Sequence, residues 1–246
     1  IRLLETGFGL GVNFLATWAW LRRSGHSTRL RYVAIEKHPF SMEDMQAALL
    51  IAIRSAPAMW VPELQDLAER LIAAWPPLIH GFHTVPLDEQ VTLTLAFGDI
   101  RTVMTSVQGC FDAFYLDGFA PDRNPDMWSG ATLQRIADIA APGARLSSWC
   151  VAGAVRAALS EAGFAVSKRP GFGAKRHRLF ACWPKAQVPR LSCNELSLSV
   201  LIMGAGIAGA SMARQLAVRG FPVTVIEQHQ PASGGSGNPV AVVRPE

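Results

Sequence analysis

The sequence is poor in charged side chains and has no long apolar run. Charged residues make up 17% of the 246 residues and hydrophobic residues 50%, a balance that excludes intrinsic disorder. The longest apolar stretch, Leu10 to Leu21, has about a dozen residues and includes Asn13 and Thr17, whereas a bilayer span needs roughly 20. We therefore predict a globular protein with a sizeable core and no membrane association.

Cysteine is also scarce. The four cysteines are widely separated, form no C-x-x-C pair and have no clustered histidines near them. This pattern indicates a reducing compartment and no zinc site, so we expect a cytoplasmic protein that holds no metal.

Acidic residues are missing from Ala162 to Asn194, although the formal net charge of the whole chain is only +4. Aromatic residues are interleaved with the basic ones in this stretch. Cations bind phosphates and rings stack on bases, so a nucleic-acid surface is one interpretation, and a solvated basic face is the other. The basic residues are Lys168, Arg169, Lys175, Arg176, Arg178, Lys185 and Arg190.

Apolar runs of strand length alternate with helical patterns along residues 1–184, which is typical of a doubly wound α/β sheet. We predict seven strands joined by six crossovers in this Rossmann-like domain. The predicted strands are 3–5, 30–35, 91–97, 112–116, 144–149, 164–167 and 177–183. The predicted helices are 12–23, one starting at Ser41, 63–74, 125–140 and 151–162.

A change of pattern follows this first domain. Residues 185–196 have mixed polarity and no periodicity, as expected of a linker. Residues 197–246 show a strand, a glycine turn, a helix and a second strand, which is the first β-α-β unit of another Rossmann domain. Two strands are too few to bury a core alone.

The first motif runs from Glu5 to Gly11 (ETGFGLG), between a strand and a helix. Glycines let the backbone approach a ligand, and the helix N-terminus offers N–H groups. Glu36, 25 residues after Gly11, ends the next predicted strand, where an acid can accept from ribose hydroxyls. A tight turn without a ligand is the alternative.

Two more acids end the next two predicted strands, namely Asp99 and Asp117. Asp99 can accept from an adenine amino group. Glycines or acids at four consecutive strand ends favour an S-adenosylmethionine site over a nicotinamide site. Capping of a helix or turn is the alternative explanation for each acid.

The segment from Tyr115 to Pro121 (YLDGFAP) is the predicted reaction centre. Methyl transfer to an amine requires a group that orients the amine and accepts its proton, and the Asp117 carboxylate can do both. Phe119 and Trp128 can form walls beside a positive sulfonium. Alternatively, these two aromatic residues belong to the core.

The second glycine motif is Gly204-Ala205-Gly206-Ile207-Ala208-Gly209, with Glu227 18 residues after Gly209. Its position between a strand and a helix, with an acid after the next strand, is the context that indicates a dinucleotide. The small residues from Ser233 to Asn238 favour FAD over NAD, a choice that rests in part on the family resemblance given below.

Several segments in this order resemble one family closely, the bifunctional tRNA 5-methylaminomethyl-2-thiouridine biosynthesis proteins. The most specific segments are DAFYLDGFAPDRNPDMW and KRPGFGAKRHRLF, accompanied by ETGFGLGVNF, IEKHPFSMED, LAERLIAAWPPLIHGFH, LAFGDI and GAGIAG. The resemblance implies two activities. An FAD-dependent oxidoreductase half removes the carboxymethyl group from carboxymethylaminomethyl-uridine at the tRNA wobble position. A methyltransferase half then methylates the aminomethyl group with S-adenosylmethionine.

The resemblance also implies roles for individual residues, with Asp117 as the catalytic group. The predicted S-adenosylmethionine set is Glu5, Gly7, Phe8, Gly9, Gly11, Asn13, Glu36, Lys37 and Asp99. The predicted substrate and tRNA contacts are Phe119, Pro121, Trp128, Lys175 and Arg176. The predicted FAD contacts are Gly204, Gly206, Gly209 and Glu227.

The chain departs from this family at Leu10, where threonine is common, and in extent. We expect a fragment that lacks a segment before the first strand and most of the oxidoreductase half, cut from a monomeric parent. Two alternatives remain open. One is a methyltransferase of a small-molecule amine, and the other is an RNA-binding module without catalysis.

Overall fold

The computed structural model describes residues 1–171, 173, 175–184 and 199–238. The chain divides into two compact units, Ile1–Gln187 and Val188–Glu246, and each is described by itself. The predicted linker 185–196 lies outside the described residues, and the proposed domain boundaries stay predictions.

An eight-stranded sheet forms the first unit, in the order β3-β4-β2-β1-β5-β6-β8-β7. Strands β4, β2, β1, β5 and β6 pair in parallel, whereas β3 pairs antiparallel with β4, and β8 antiparallel with both β6 and β7. The strands are β1 Arg2–Thr6, β2 Leu30–Glu36, β3 Gly81–Pro86, β4 Val91–Phe97, β5 Phe111–Leu116, β6 Ala140–Ser148, β7 Ala165–Pro170 and β8 His177–Cys182.

Helices cover both faces of this sheet. The helices are α1 Val12–Ser24, α2 Met42–Arg54, α3 Val61–Ala73, α4 Ile100–Ser106, α5 Gly130–Asp138 and α6 Gly153–Glu161. One buried cluster holds Trp18 of α1, Tyr32 of β2 and Leu67 of α3, and the other holds Phe114 of β5 and Leu133 of α5. Parallel strands buried on both faces carry nearly continuous apolar runs, which is why the sequence pattern identified them.

The predicted doubly wound α/β class is confirmed, but the predicted strand number and connections are wrong. The missed strand, β3, is an edge strand in which exposed and half-buried residues alternate, so its sequence carries little apolar signal. Two antiparallel hairpins, β3-β4 and β7-β8, stand where we expected crossovers. Short chain segments between these strands leave no room for a helix.

Side chains cap the starts of three helices of the first unit, α2, α4 and α5. Ser41 accepts a hydrogen bond from Asp44 N, so the predicted start of α2 is confirmed. The predicted single helix 125–140 is wrong, since a 3₁₀ helix, Pro125–Trp128, is followed by Ser129, which accepts from Thr132 N and caps α5. Helix α4, which the sequence analysis missed, begins after Asp99.

The second unit contains β9 Val200–Met203, α7 Ile207–Val218 and β10 Val223–Ile226, with the two strands paired in parallel. The predicted strand-turn-helix-strand order is therefore confirmed. Among the described residues of the two units, no helix is both long and apolar enough to cross a membrane.

Candidate functional site

The predicted acids and the first glycine turn come together at one edge of the large sheet. Strands β4, β2, β1 and β5 are neighbours in that order. Their carboxyl ends carry Asp99, Glu36, Gly7 and Asp117, respectively. The chain winds outward in opposite directions from β1 and β5, and ligands of open α/β sheets bind at such a switch point.

The turn between β1 and α1 depends on glycine at Gly7, where φ is +78°. A Cβ at Gly7 would lie 2.8 Å from Gly118 Cα and 2.9 Å from the Asp117 carbonyl oxygen. Gly9 also has a positive φ, but no atom lies within 4 Å of the position of its Cβ. The turn is therefore packed tightly against the β5 end and open at Gly9.

Glu36 fixes the open part of this turn. Its Oε2 accepts from Gly9 N at 2.9 Å, and its Oε1 accepts from His38 N at 2.8 Å. The carboxylate therefore joins the glycine turn to the end of β2. Each carboxylate oxygen has a further lone pair, so Glu36 can still accept from a ligand hydroxyl.

Phe8 lies in this turn, but its ring is buried. It stacks on Trp75 with ring centroids 5.9 Å apart, and a Cβ at Gly11 would lie 2.5 Å from the Phe8 ring. The Phe8 backbone is the part that remains available for the predicted cofactor contact. The absence of a side chain at Gly11 thus leaves space for the Phe8 ring, which packs the turn against the core.

Asp99 combines capping with an ion pair. Its Oδ1 accepts from Arg101 N at 3.0 Å at the start of α4, and its Oδ2 lies 2.9 Å from Lys37 Nζ. Lys37 and Arg101 hold the pKa of the Asp99 carboxyl well below its usual range. Lys37, predicted to contact the cofactor, is paired with a second member of the predicted set.

Asp117 is held by its own turn and by α1. Gly118 N donates to Asp117 Oδ1 at 2.8 Å, and Asn13 Nδ2 donates to Asp117 Oδ2 at 2.8 Å. The same Asn13 nitrogen donates to Glu5 Oε1 at 2.7 Å. The Asn13 amide therefore bridges a buried acid in β1 and the predicted catalytic acid.

Glu5 is almost completely buried, and Tyr32 Oη donates to its Oε2 at 2.8 Å. Burial raises the pKa of Glu5 to about 8, although the hydrogen bonds from Asn13 and Tyr32 favour the charged form. Burial next to Glu5 also raises the pKa of Tyr32. Tyr32 was absent from the predicted site because only strand pairing brings it to Glu5.

Phe119 and Trp128, the two aromatic residues predicted to lie beside the sulfonium, differ in exposure. Phe119 is 66% exposed, whereas Trp128 is 6% exposed. Trp128 Nε1 donates to the Phe119 carbonyl oxygen at 2.9 Å, so the buried indole holds the loop that carries the exposed ring. Pro121, in the same loop, is half-buried.

The basic stretch forms part of the β7-β8 hairpin at the edge of the sheet. Lys175 Nζ lies 4.7 Å from the Trp149 ring centroid, and Trp149 follows the carboxyl end of β6. The Arg169 guanidinium lies 3.7 Å from the Phe180 ring centroid. Arg176 is exposed, whereas Lys185 and Arg190 lie outside the described residues.

The second glycine turn, in the second unit, is also closed by an acid. Glu227 Oε2 accepts from Ala205 N at 2.6 Å. A Cβ at Gly209 would lie 1.9 Å from the Gly204 carbonyl oxygen, and a Cβ at Gly206 would lie 2.9 Å from Ser236 Oγ. The turn therefore brings Gly204, Gly206, Gly209 and Glu227 together, with Ser236 of the small-residue segment 233–238 as a neighbour.

Within the part of the chain that the structure describes, no group of three or more histidine, cysteine, aspartate or glutamate side chains could hold a metal ion.

Two family models match the chain. The model of the S-adenosyl-L-methionine-dependent methyltransferases matches residues 62–184, and that of the FAD dependent oxidoreductases matches residues 199–246. The cofactors of these families are the two that we predicted.

Curated relatives match nearly the whole chain. A tRNA 5-methylaminomethyl-2-thiouridine biosynthesis bifunctional protein MnmC of Thiobacillus denitrificans is 46% identical over 246 residues, which are 99% of this chain and 38% of the relative. The protein of that name from an Azoarcus species is 45% identical over 247 residues, 99% of this chain and 37% of its own length. The chain thus spans less than two fifths of these relatives.

A solved structure supports the fold. MNMC2 from Aquifex aeolicus matches with a TM-score of 0.57 and 24% identity, over 81% of this chain and 59% of that chain. At this identity the likeness concerns the architecture alone.

Proposed function

The chain belongs to the family of S-adenosyl-L-methionine-dependent methyltransferases, and from that membership we propose that its first unit methylates the aminomethyl group of a tRNA wobble uridine. The 46% identity to a tRNA 5-methylaminomethyl-2-thiouridine biosynthesis bifunctional protein is the observation that carries the choice of substrate. The second unit is proposed as the start of the FAD-dependent half of such a protein.

The cofactor set that we propose consists of Gly7, Gly9, Gly11, Glu36 and Asp99. The open space at Gly9 admits a ligand against the backbone, and the uncapped start of α1 offers N–H groups to a carboxylate. Glu36 would accept from ribose hydroxyls. S-adenosylmethionine, when bound, supplies a methyl group on a sulfonium.

Asp117 is the catalytic group of this proposal. An amine attacks a methyl group through its lone pair, so its proton must be held elsewhere. The carboxylate is fixed at both oxygens, by Gly118 N and by Asn13, and its remaining lone pairs can orient the amine and accept a proton. Phe119, exposed on the following loop, is proposed to cover the acceptor.

The first test measures methyl incorporation from labelled S-adenosylmethionine into tRNA that carries 5-aminomethyl-2-thiouridine, using the full chain. We expect transfer, and a loss of about 10²- to 10⁴-fold on Asp117→Ala. Asp138→Ala, which removes an exposed acid from the end of α5, is the matched control and should keep the activity. An unchanged rate in Asp117→Ala would refute the assigned role.

Two further measurements separate the alternatives. Ribonuclease treatment of a mixed substrate pool abolishes product formation if the acceptor is tRNA, but not if it is a small amine. Calorimetry distinguishes the RNA-binding module, because a folded chain that binds tRNA but not S-adenosylmethionine would be no methyltransferase.

The basic hairpin is proposed to contact the tRNA backbone. Lys175→Glu with Arg176→Glu should weaken tRNA binding and lower the slope of log affinity against log salt by about one for each phosphate that is no longer neutralised. Arg54→Glu, at the end of α2, changes the charge as much as Arg176→Glu does and should leave that slope unchanged. The same slope in the double variant as in the original chain would assign these residues to a solvated face.

A further inference from the structure

We propose that Asn13 is a positioning residue that holds the Asp117 carboxylate and ties it to the first turn of α1, rather than a ligand of the cofactor. This inference rests on the proposed role of Asp117. Asn13 is the second residue of α1, directly after the glycine turn. Its amide nitrogen lies 2.7 Å from Glu5 Oε1 and 2.8 Å from Asp117 Oδ2.

Both N–H groups of the Asn13 amide are used by these two acids, since a primary amide has two donors. The side chain therefore has no N–H left for a ligand. On the opposite side, Tyr32 Oη donates to Glu5, so three strands and one helix meet in one hydrogen-bonded chain. These elements are β1 (Glu5), β2 (Tyr32), the β5 end (Asp117) and α1 (Asn13).

The amide also separates two carboxyl groups. Glu5 and Asp117 share one donor nitrogen, and the neighbouring Asp117 charge contributes to the raised pKa of Glu5. The ionisable side chains that face this pair are Tyr32 from β2, Glu36 from the β2 end and Tyr115 from β5, and none of these is a cation. Without the Asn13 amide, the charged form of Asp117 would lose the side-chain donor to its Oδ2.

Asn13→Ala should therefore make Asp117 harder to ionise. The acid limb of the pH profile of kcat should move to higher pH. At pH values below that limb, kcat should be about 10- to 100-fold lower than in the original chain. The dissociation constant for S-adenosylmethionine, measured by calorimetry on the full chain, should change less than about threefold. A direct readout is the ¹³C shift of the Asp117 carboxyl, titrated by NMR without substrate.

The control is Thr17→Val, one turn further along α1. Thr17 Oγ1 donates to the Asn13 carbonyl oxygen, so this nearly isosteric change alters the same helix but leaves the Asn13 amide in place. We expect the original pH limb and the original Asp117 titration. If Asn13→Ala does not fold, Asn13→Ser, which keeps a small polar residue in the first turn, should move both readouts in the same direction.

Three results would overturn the inference. They are a loss of S-adenosylmethionine affinity as large as the loss of kcat/KM, an unmoved pH limb, and an unmoved carboxyl titration in Asn13→Ala or Asn13→Ser. The first of these would make Asn13 a cofactor ligand. Failure of the proposed function is recognised separately, because it appears as full activity in Asp117→Ala.

Discussion

The two glycine turns of this chain close in the same way but lie in different surroundings. In each, an acid at the end of the second strand accepts from a backbone N–H of the turn, Glu36 from Gly9 N and Glu227 from Ala205 N. The first turn is part of an eight-stranded sheet with helices on both faces. The second follows a two-stranded sheet in which Met203 is 85% exposed.

This difference shows that the turn itself forms from local sequence, whereas the functional groups around it come from neighbouring strands. Both turns form from glycine conformations and one hydrogen-bonded acid. In the first, neighbouring strands add further groups, because β5 brings Asp117 beside Gly7 and β2 brings Tyr32 to Glu5. The second turn has its glycines and its acid, but the described part of its unit contains one pair of strands.

The largest expected effect comes from breaking the close approach at Gly7. Gly7→Ala would force a left-handed φ on alanine and press its Cβ against the backbone of Gly118. We expect the free energy of unfolding of the first unit to fall by about 2–4 kcal/mol, measured by denaturant unfolding.

Two alanine variants test whether this loss is specific to the packed turn. Gly9→Ala meets no atom within 4 Å and should cost only about 1 kcal/mol. Gly209→Ala clashes with Gly204 in the second unit and should raise hydrogen exchange in α7 without lowering the transition of the first unit. An equal loss of unfolding free energy in Gly7→Ala and Gly9→Ala, or a lowered transition of the first unit in Gly209→Ala, would contradict the comparison.

A pH-dependent effect concerns the residue two positions before the first glycine of each turn, which is Glu5 in the first and Ile202 in the second. Burial raises the pKa of Glu5 from the ordinary 4.5 to about 8, so the folded chain holds a proton that the unfolded chain releases. The stability from this proton is complete below pH 4.5 and is lost as the pH rises to about 8, by the linkage of proton binding to folding.

Glu5→Gln removes this dependence. Relative to the variant, the original chain should lose on the order of a few kcal/mol of unfolding free energy across that window, measured by denaturant unfolding at several pH values. Glu43→Gln, an exposed acid in the first turn of α2, is the control and should show the original dependence. Parallel pH curves for the original chain and Glu5→Gln would contradict a raised pKa.

The sequence predicted those parts of the site that depend on short spacings. The glycine turns, Glu36, Asp99, Asp117 and Glu227 all follow a strand pattern directly, so their place at the carboxyl edge needs only the order strand, turn, helix. The interactions that it missed depend on strand order. Tyr32 meets Glu5 from a neighbouring strand, and Lys175 meets Trp149 across the β6-β8 pairing.

The burial of individual aromatic residues also could not be predicted from the sequence. Phe8, Phe119 and Trp128 are all large aromatic residues near glycines, yet the structure buries Phe8 and Trp128 and exposes Phe119. The reason is packing that no spacing shows, such as the stack of Phe8 on Trp75. Edge strand β3 was missed for a related reason, since its exposed alternating side chains do not form an apolar run.

The smallest expected effect is at the acid of the second turn. The hydrogen bond from Ala205 N, with weaker ones from His229 and Gln228, lowers the pKa of Glu227. A lowered pKa means that the bond stabilises the turn above the ordinary pKa of 4.5 and is lost as the pH falls below it. Exchange of the Ala205 amide, normalised for its intrinsic rate, should therefore rise towards acid pH. In Glu227→Gln that rise should be absent.

The Gly9 amide provides the comparison, because its acceptor Glu36 belongs to the eight-stranded sheet. Its normalised exchange should be slower than that of the Ala205 amide at every pH. Faster exchange at Gly9 would show that the surrounding sheet adds no protection to the turn.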